Sequence, residues 1–133
     1  MISDSMIKDG QLLLVSDGSL KHIHMMSFGW ILSTLSGTWL AASSGPGSGC
    51  GTSLRIEADG MLSGAVFCGI IANEFVDKLH IKYKCDNAEL IRNLDDRITY
   101  NIPYPNTTLR PEFDLIEEIY QTNKHSRIQA SYH

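Results

Sequence analysis

Three kinds of residue are scarce in this 133-residue chain, and each scarcity closes off a class of protein. Only 4 prolines stand against 43% apolar and 20% charged residues, so neither global disorder nor a collagen-like repeat fits. Cysteine occurs 3 times, at Cys50, Cys68 and Cys85, with no C-x-x-C pair. An odd, dispersed set indicates neither a disulfide framework nor a structural zinc site, and a reducing, intracellular compartment (cytoplasm or nucleus) is expected. Cys68, in an apolar helical stretch, and Cys85, at a strand end, read as small buried hydrophobes. A basic surplus is also missing, since 11 Lys and Arg oppose 15 Asp and Glu for a net charge of −4. Tight, sequence-blind binding of nucleic acid by this chain alone is therefore not expected. The longest nearly apolar run, residues 60–72, is broken by Ser63 and falls short of the ~18–20 residues that cross a bilayer. Residues 1–10 carry Asp4, Lys8 and Asp9 without a signal-type apolar region, so neither a membrane nor export is implied.

The length suits one domain over residues 1–133 with a single core. Leu12-Leu13-Leu14-Val15 reads as a buried strand that stops in a turn at Ser16-Asp17-Gly18-Ser19. Residues 26–33 and 38–42 continue as an antiparallel meander. Gly45, Pro46, Gly47, Gly49 and Gly51 make residues 43–52 a loop, after which Thr52 or Ser53 caps a long helix reaching about Asn73. Its apolar stripe is Leu54, Ala58, Met61, Leu62, Ala65, Val66 and Gly69; Arg55 and Asp59 fall off it and Glu57 lies at its edge. A strand over residues 78–84, a short helix over 88–94, a loop over 99–110, a helix from Pro111 to about Thr122 and a strand over 127–132 follow. That order predicts an α/β fold with a mixed sheet, antiparallel at first and parallel after the long helix crosses over. The chain stops at His133 in or just after a strand, so a domain incomplete at its C-terminus is expected.

Parallel strands point their C-terminal ends to one edge, where ligands collect. Asp17 and Asp86 both follow such ends, and Glu57 lies one turn into the helix that starts beside them. Converging carboxylates need a shared proton or a divalent cation, and hard Mg²⁺ suits oxygen-only ligands and substrate phosphates. Each acid also has a plainer reading: Asp17 as a turn residue, Glu57 as a solvated first-turn acid and Asp86 as a helix cap.

Taken together, Val15-Ser16-Asp17-Gly18-Ser19, Ser27-Phe28-Gly29-Trp30, Leu54-Arg55-Ile56-Glu57-Ala58 and Cys85-Asp86-Asn87 resemble the ribonuclease H domain, in the form attached to reverse transcriptases of retroelements. The resemblance spans residues 12–133, and Phe113-Asp114-Leu115-Ile116 with residues 128–132 resembles that domain's later helix and fifth strand. It implies a ribonuclease H-like five-stranded mixed sheet, three strands antiparallel and then parallel strands, with helices packed on it and the final helix lacking. It further implies that Asp17 bridges two Mg²⁺ ions (Mn²⁺ as a substitute), that Glu57 and Asp86 complete one of them, and that the reaction is hydrolysis of the RNA strand of an RNA–DNA hybrid. A reverse transcriptase, attached or associated, is the implied partner. The family's pattern continues with a loop His and a fourth acid beyond residue 133, and neither His133 nor Asp114 takes those places. Weak or absent activity is the expectation for the chain as given. A non-catalytic spacer or interaction module of the same fold is the alternative, and a nucleotide-binding protein sharing the fold is a third reading.

Other residues invite function less strongly. The Gly45 to Thr52 sequence has no Lys after its last Gly and so fails the P-loop pattern, although its amides could touch a phosphate at the helix N-terminus. His22 and His24 read as solvated hairpin residues. Phe28, Trp30 and Trp39 could stack on bases, but strand spacing assigns them to the core or a sheet face. Lys78, Lys82 and Lys84 line one face of their strand, an unexpected place for cations if helices cover both sides. Asp95-Asp96 and Glu117-Glu118 read as solvated helix faces.

Overall fold

Apolar side chains at every second position give the sheet its buried face. Leu12, Leu14 and Ser16 of β1 (Gln11–His22), Met26, Trp30 and Leu32 of β2 (Met25–Thr34), and Ile81 and Tyr83 of β4 (His80–Lys84) are buried. The remaining strands are β3 (Trp39–Pro46) and β5 (Gln129–Tyr132). The computed structural model describes residues 11–22, 25–47, 52–74, 78–99 and 112–133. Strand order is β3-β2-β1-β4-β5, with β1, β2 and β3 antiparallel and with β4 parallel to both β1 and β5. The expected mixed sheet, antiparallel and then parallel, is present.

Three described helices, α1 (Ser53–Ala72), α2 (Ala88–Ile98) and α3 (Phe113–His125), share one core with the buried sheet face. Thr52 caps α1, its hydroxyl accepting the Arg55 amide at 3.1 Å. The opposite face carries half-buried Leu13 and exposed Val15, Lys82 and Lys84. The lysine-bearing strand is thus central yet covered by described helices on one side only, which is why its cations are tolerated. Lys78 lies outside the strand.

Several boundaries differ from the sequence reading, for one physical reason: ladder pairing outweighs local turn preference. β1 does not turn at residues 16–19 but continues through Asp17↔Gly29, Gly18↔Phe28 and Ser19↔Ser27. β3 likewise runs on to Pro46, where a loop was expected, because Ser43, Ser44 and Gly45 pair with Trp30, Gly29 and Phe28. Helices α2 and α3 extend past the expected ends at residues 94 and 122, and α3 begins at Phe113. Pro111, His24, Cys50 and the loop over residues 100–110 lie outside the described residues, as do the side chain of His22 and the stretch 48–51. Asp59 is buried rather than off the core face, Cys85 is only half-buried, and Glu117 is half-buried in an ion pair rather than solvated. No described helix is long and apolar enough to cross a membrane.

Candidate active site

The unequal lengths of two ladders open a crevice. β1 pairs with β4 only as far as Val15↔Lys84, whereas its ladder with β2 continues to His22↔Met25. Beyond Val15 the side of β1 that faced β4 is therefore unpaired among the described residues, and Asp17 lies two residues into this opening. Asp86 follows the end of β4 and lies before Asn87, whose side chain accepts the Leu90 amide at 3.1 Å and caps α2. With Asn87 filling the cap, the Asp86 carboxylate is left for the crevice. Glu57 reaches it from the first turns of α1.

These three acids meet. One carboxylate oxygen from each of Asp17, Glu57 and Asp86 lies within 4.8 Å of the others. Asp17 is in a strand rather than a turn, Glu57 is only 6% exposed, and Asp86 does not cap, so the plainer reading of each acid is displaced by its surroundings. Glu57 Oε1 accepts the Gly18 amide at 3.1 Å, while the buried Glu57 Oε2 has no hydrogen-bond partner among the described residues. Burial pushes the Glu57 carboxyl up to about 7; the Gly18 amide opposes the shift, and the charges of Asp86 and Asp17 add to it. Without a counter-charge Glu57 is only partly ionised near neutrality. A divalent cation meets both needs, supplying positive charge and a partner for the orphaned oxygen.

Sequence spacing does not disclose two further features. The Gly18 amide fixes Glu57, and a Cβ at Gly18 would stand 2.8 Å from Ile56 Cγ2 and 3.3 Å from Glu57 Oε1. The Asp-Gly pair, read as a turn signal, is instead a close strand-to-helix approach. Arg55 turns away from Glu57, as expected, and its guanidinium binds Glu112 at 2.6 Å and Asp114 at 3.5 Å, tying the start of α1 to the start of α3.

Beside Asp17, an open groove of about 650 Å³ is lined also by Phe28 and the hydroxyl residues Ser19, Ser27, Ser43 and Ser44. Phe28 is half-buried there and Trp39 is 70% exposed. Trp30 is core: its indole donates to Ser63 at 3.0 Å and its ring lies against Phe67. The buried Cys68 thiol is pushed up to about 12 by burial, the state of an inert core cysteine.

No protein-family model matches the chain, and no curated protein does. Solved structures do. LC11-RNase H1, in complex with RNA/DNA hybrid, superposes with a TM-score of 0.71 at 13% identity, over 92% of this chain and 83% of that one. The RNase H domain of the foamy virus PFV superposes with a TM-score of 0.56 at 13% identity, over 92% and 78%. The foamy viral protease-reverse transcriptase bound to RNA/DNA hybrid gives a TM-score of 0.59 at 12% identity, over 92% of this chain and 17% of that much longer one. With its strand order, its crossover helix and these neighbours, the chain has the ribonuclease H fold.

Proposed function

We infer that this domain is a metal-dependent nuclease that hydrolyses the RNA strand of RNA–DNA hybrids. The observation that carries the reading is the convergence of Asp17, Glu57 and Asp86 on one crevice, with Glu57 Oε2 buried and unpartnered. Two solved neighbours contain RNA/DNA hybrid, which adds support at the level of the fold. All three donors are carboxylates, a hard oxygen set suited to Mg²⁺ or Mn²⁺.

In this reading Asp17, Glu57 and Asp86 hold the cation, which when bound supplies Lewis acidity at a scissile phosphate and lowers the pKa of water. The chain's own residues do the positioning. Gly18 holds Glu57 through its amide, β1 and β4 set the spacing of Asp17 and Asp86, and the groove beside Asp17 offers serine hydroxyls to a nucleic-acid strand. A chain of net charge −4 has little electrostatic pull of its own on a polyanion, so an attached or associated reverse transcriptase is the proposed source of substrate affinity.

The test is a hybrid duplex labelled on its RNA strand, incubated with the chain and Mg²⁺ or Mn²⁺. Weak cleavage of that strand, seen at high enzyme concentration and lost with chelator and in Asp17→Asn, is expected. If the folded protein binds the cation and still leaves the RNA intact at high enzyme concentration, the nuclease reading fails and a non-catalytic module of this fold replaces it.

A further inference from the structure

We propose that the edge of β3, unpaired among the described residues, is a self-association surface, through which two copies of this chain join their sheets edge to edge about a two-fold axis.

The two outer strands of the sheet are protected to different degrees. β5, at one edge, spans only Gln129–Tyr132, and a short edge offers little to pair with. β3, at the other, spans Trp39–Pro46 and carries no charged side chain. Its protection is confined to its ends, with a register irregularity near Trp39 and a proline at Pro46. Between them lies a bare stretch of small residues, Ala41 to Gly45.

The ladder with β2 shows which backbone groups of that stretch are free. Gly47 donates to the Met26 carbonyl at 3.0 Å, so the pair Pro46↔Ser27 inside that bond is of the non-hydrogen-bonded kind. Alternation then turns the amides and carbonyls of Gly45, Ser43 and Ala41 inward to β2, and those of Ser44 and Ala42 outward. An antiparallel copy centred on Ser43 lets Ala42 of each chain exchange hydrogen bonds with Ser44 of the other. That register uses the free groups of the bare stretch and leaves Pro46, which has no amide hydrogen, outside it.

Charge selects a second copy as the occupant. The molecule carries −4 overall, so two copies repel in most orientations. From His22 to Leu54 the sequence contains no Asp, Glu, Lys or Arg, and β3 lies within this neutral stretch. An edge without charges can face itself across a two-fold axis without opposing like charges. Its Ala, Ser and Gly side chains also let two sheets approach closely, and the exposed Trp39 and Leu35 extend the apolar surface at the same corner.

Sedimentation equilibrium of the full chain over about 10 µM to 1 mM should show a reversible monomer–dimer equilibrium, and Ala42→Pro, which removes an outward amide, should weaken it at least about tenfold. A second variant gives an answer even if that proline disturbs folding. Ser43→Cys places cysteines opposite each other at a non-hydrogen-bonded position, where Cα atoms about 4.5 Å apart fall within disulfide range. It should form a covalent dimer under mild oxidation that the wild type does not. A chain monomeric throughout the range overturns the proposal, as it would if residues 1–10 or a foreign strand occupied the edge instead. So does a dimer that folded Ala42→Pro leaves unchanged, or one in which Ser43→Cys fails to crosslink.

Discussion

Glu57 concentrates the electrostatic cost of the site in one side chain. Its carboxyl is held at about 7 in the fold against an ordinary value of 4.5. Between those values the folded state keeps a proton that the unfolded chain has released, so the Glu57 contribution to stability is most favourable below about pH 4.5, falls as pH rises, and its full penalty is present above about pH 7. In chelator, the melting temperature of the wild type minus that of Glu57→Gln should therefore decline by about 5 °C from pH 4.5 to 8. A flat difference would contradict the burial of an unpaired carboxylate. Gly18 makes the complementary prediction. Gly18→Ala forces a methyl against Ile56 and Glu57, so it should cost about 1–3 kcal/mol in urea unfolding and blunt any response to Mg²⁺. Spacing alone marked Asp17, Glu57 and Asp86 as candidates, because strand ends and a helix start can be read locally. The amide that orients Glu57 comes from a residue 39 positions away, and nothing in the local pattern of α1 points to it.

Among the elements, α1 decides how close the acids come. Gly64 lies over β1 so tightly that a Cβ would stand 2.5 Å from Leu14 Cδ1, and a Cβ at Gly60 would meet Phe28 at 3.1 Å. In an exposed helix Gly→Ala gains up to about 1 kcal/mol from propensity. At position 64 the sign should reverse, with Gly64→Ala destabilising and Gly64→Val costing more than about 2 kcal/mol in urea unfolding. An unchanged midpoint for both variants would show that the helix can ride up on the sheet. The helix itself was legible, since its apolar residues recur at three- and four-residue steps and Thr52 offers a cap. Arg97 was not. It is 1% exposed, bound to Glu117 at 2.5 Å and stacked 3.8 Å above Tyr120, a partnership between α2 and α3 that neither helix's own periodicity contains. The ends of β1 and β3 were misread for a related reason, because Asp-Gly-Ser and Ser-Gly-Pro favour turns locally while the neighbouring strand β2 holds both extended.

Across the whole molecule, charge is divided between the two ends of the parallel strands. The acid cluster occupies the C-terminal edge of β1 and β4. At the opposite edge, a cavity of about 630 Å³ is lined by Lys78, Lys124 and Arg127 with no acid among its lining residues, beside the C-terminal ends of α1 and α3. Cations there answer the partial negative charge of the helix ends, whereas at the other edge three acids share only the N-terminal ends of α1 and α2 and the Gly18 amide. The cheapest remedy for that imbalance is a bound divalent ion, and its effect on the fold is measurable without substrate. At a hundredfold excess over its dissociation constant, Mg²⁺ or Mn²⁺ should stabilise the domain by about 2.7 kcal/mol, a melting-temperature rise of roughly 5–10 °C. General screening of an acidic protein would also raise the melting temperature, so NaCl at matched ionic strength must give a clearly smaller rise. Asp17→Asn should abolish the divalent-specific part while leaving the NaCl response in place. Equal responses to the two salts would mean that the acids meet without holding a metal, and the chemistry proposed for the crevice would then have no cation to act through.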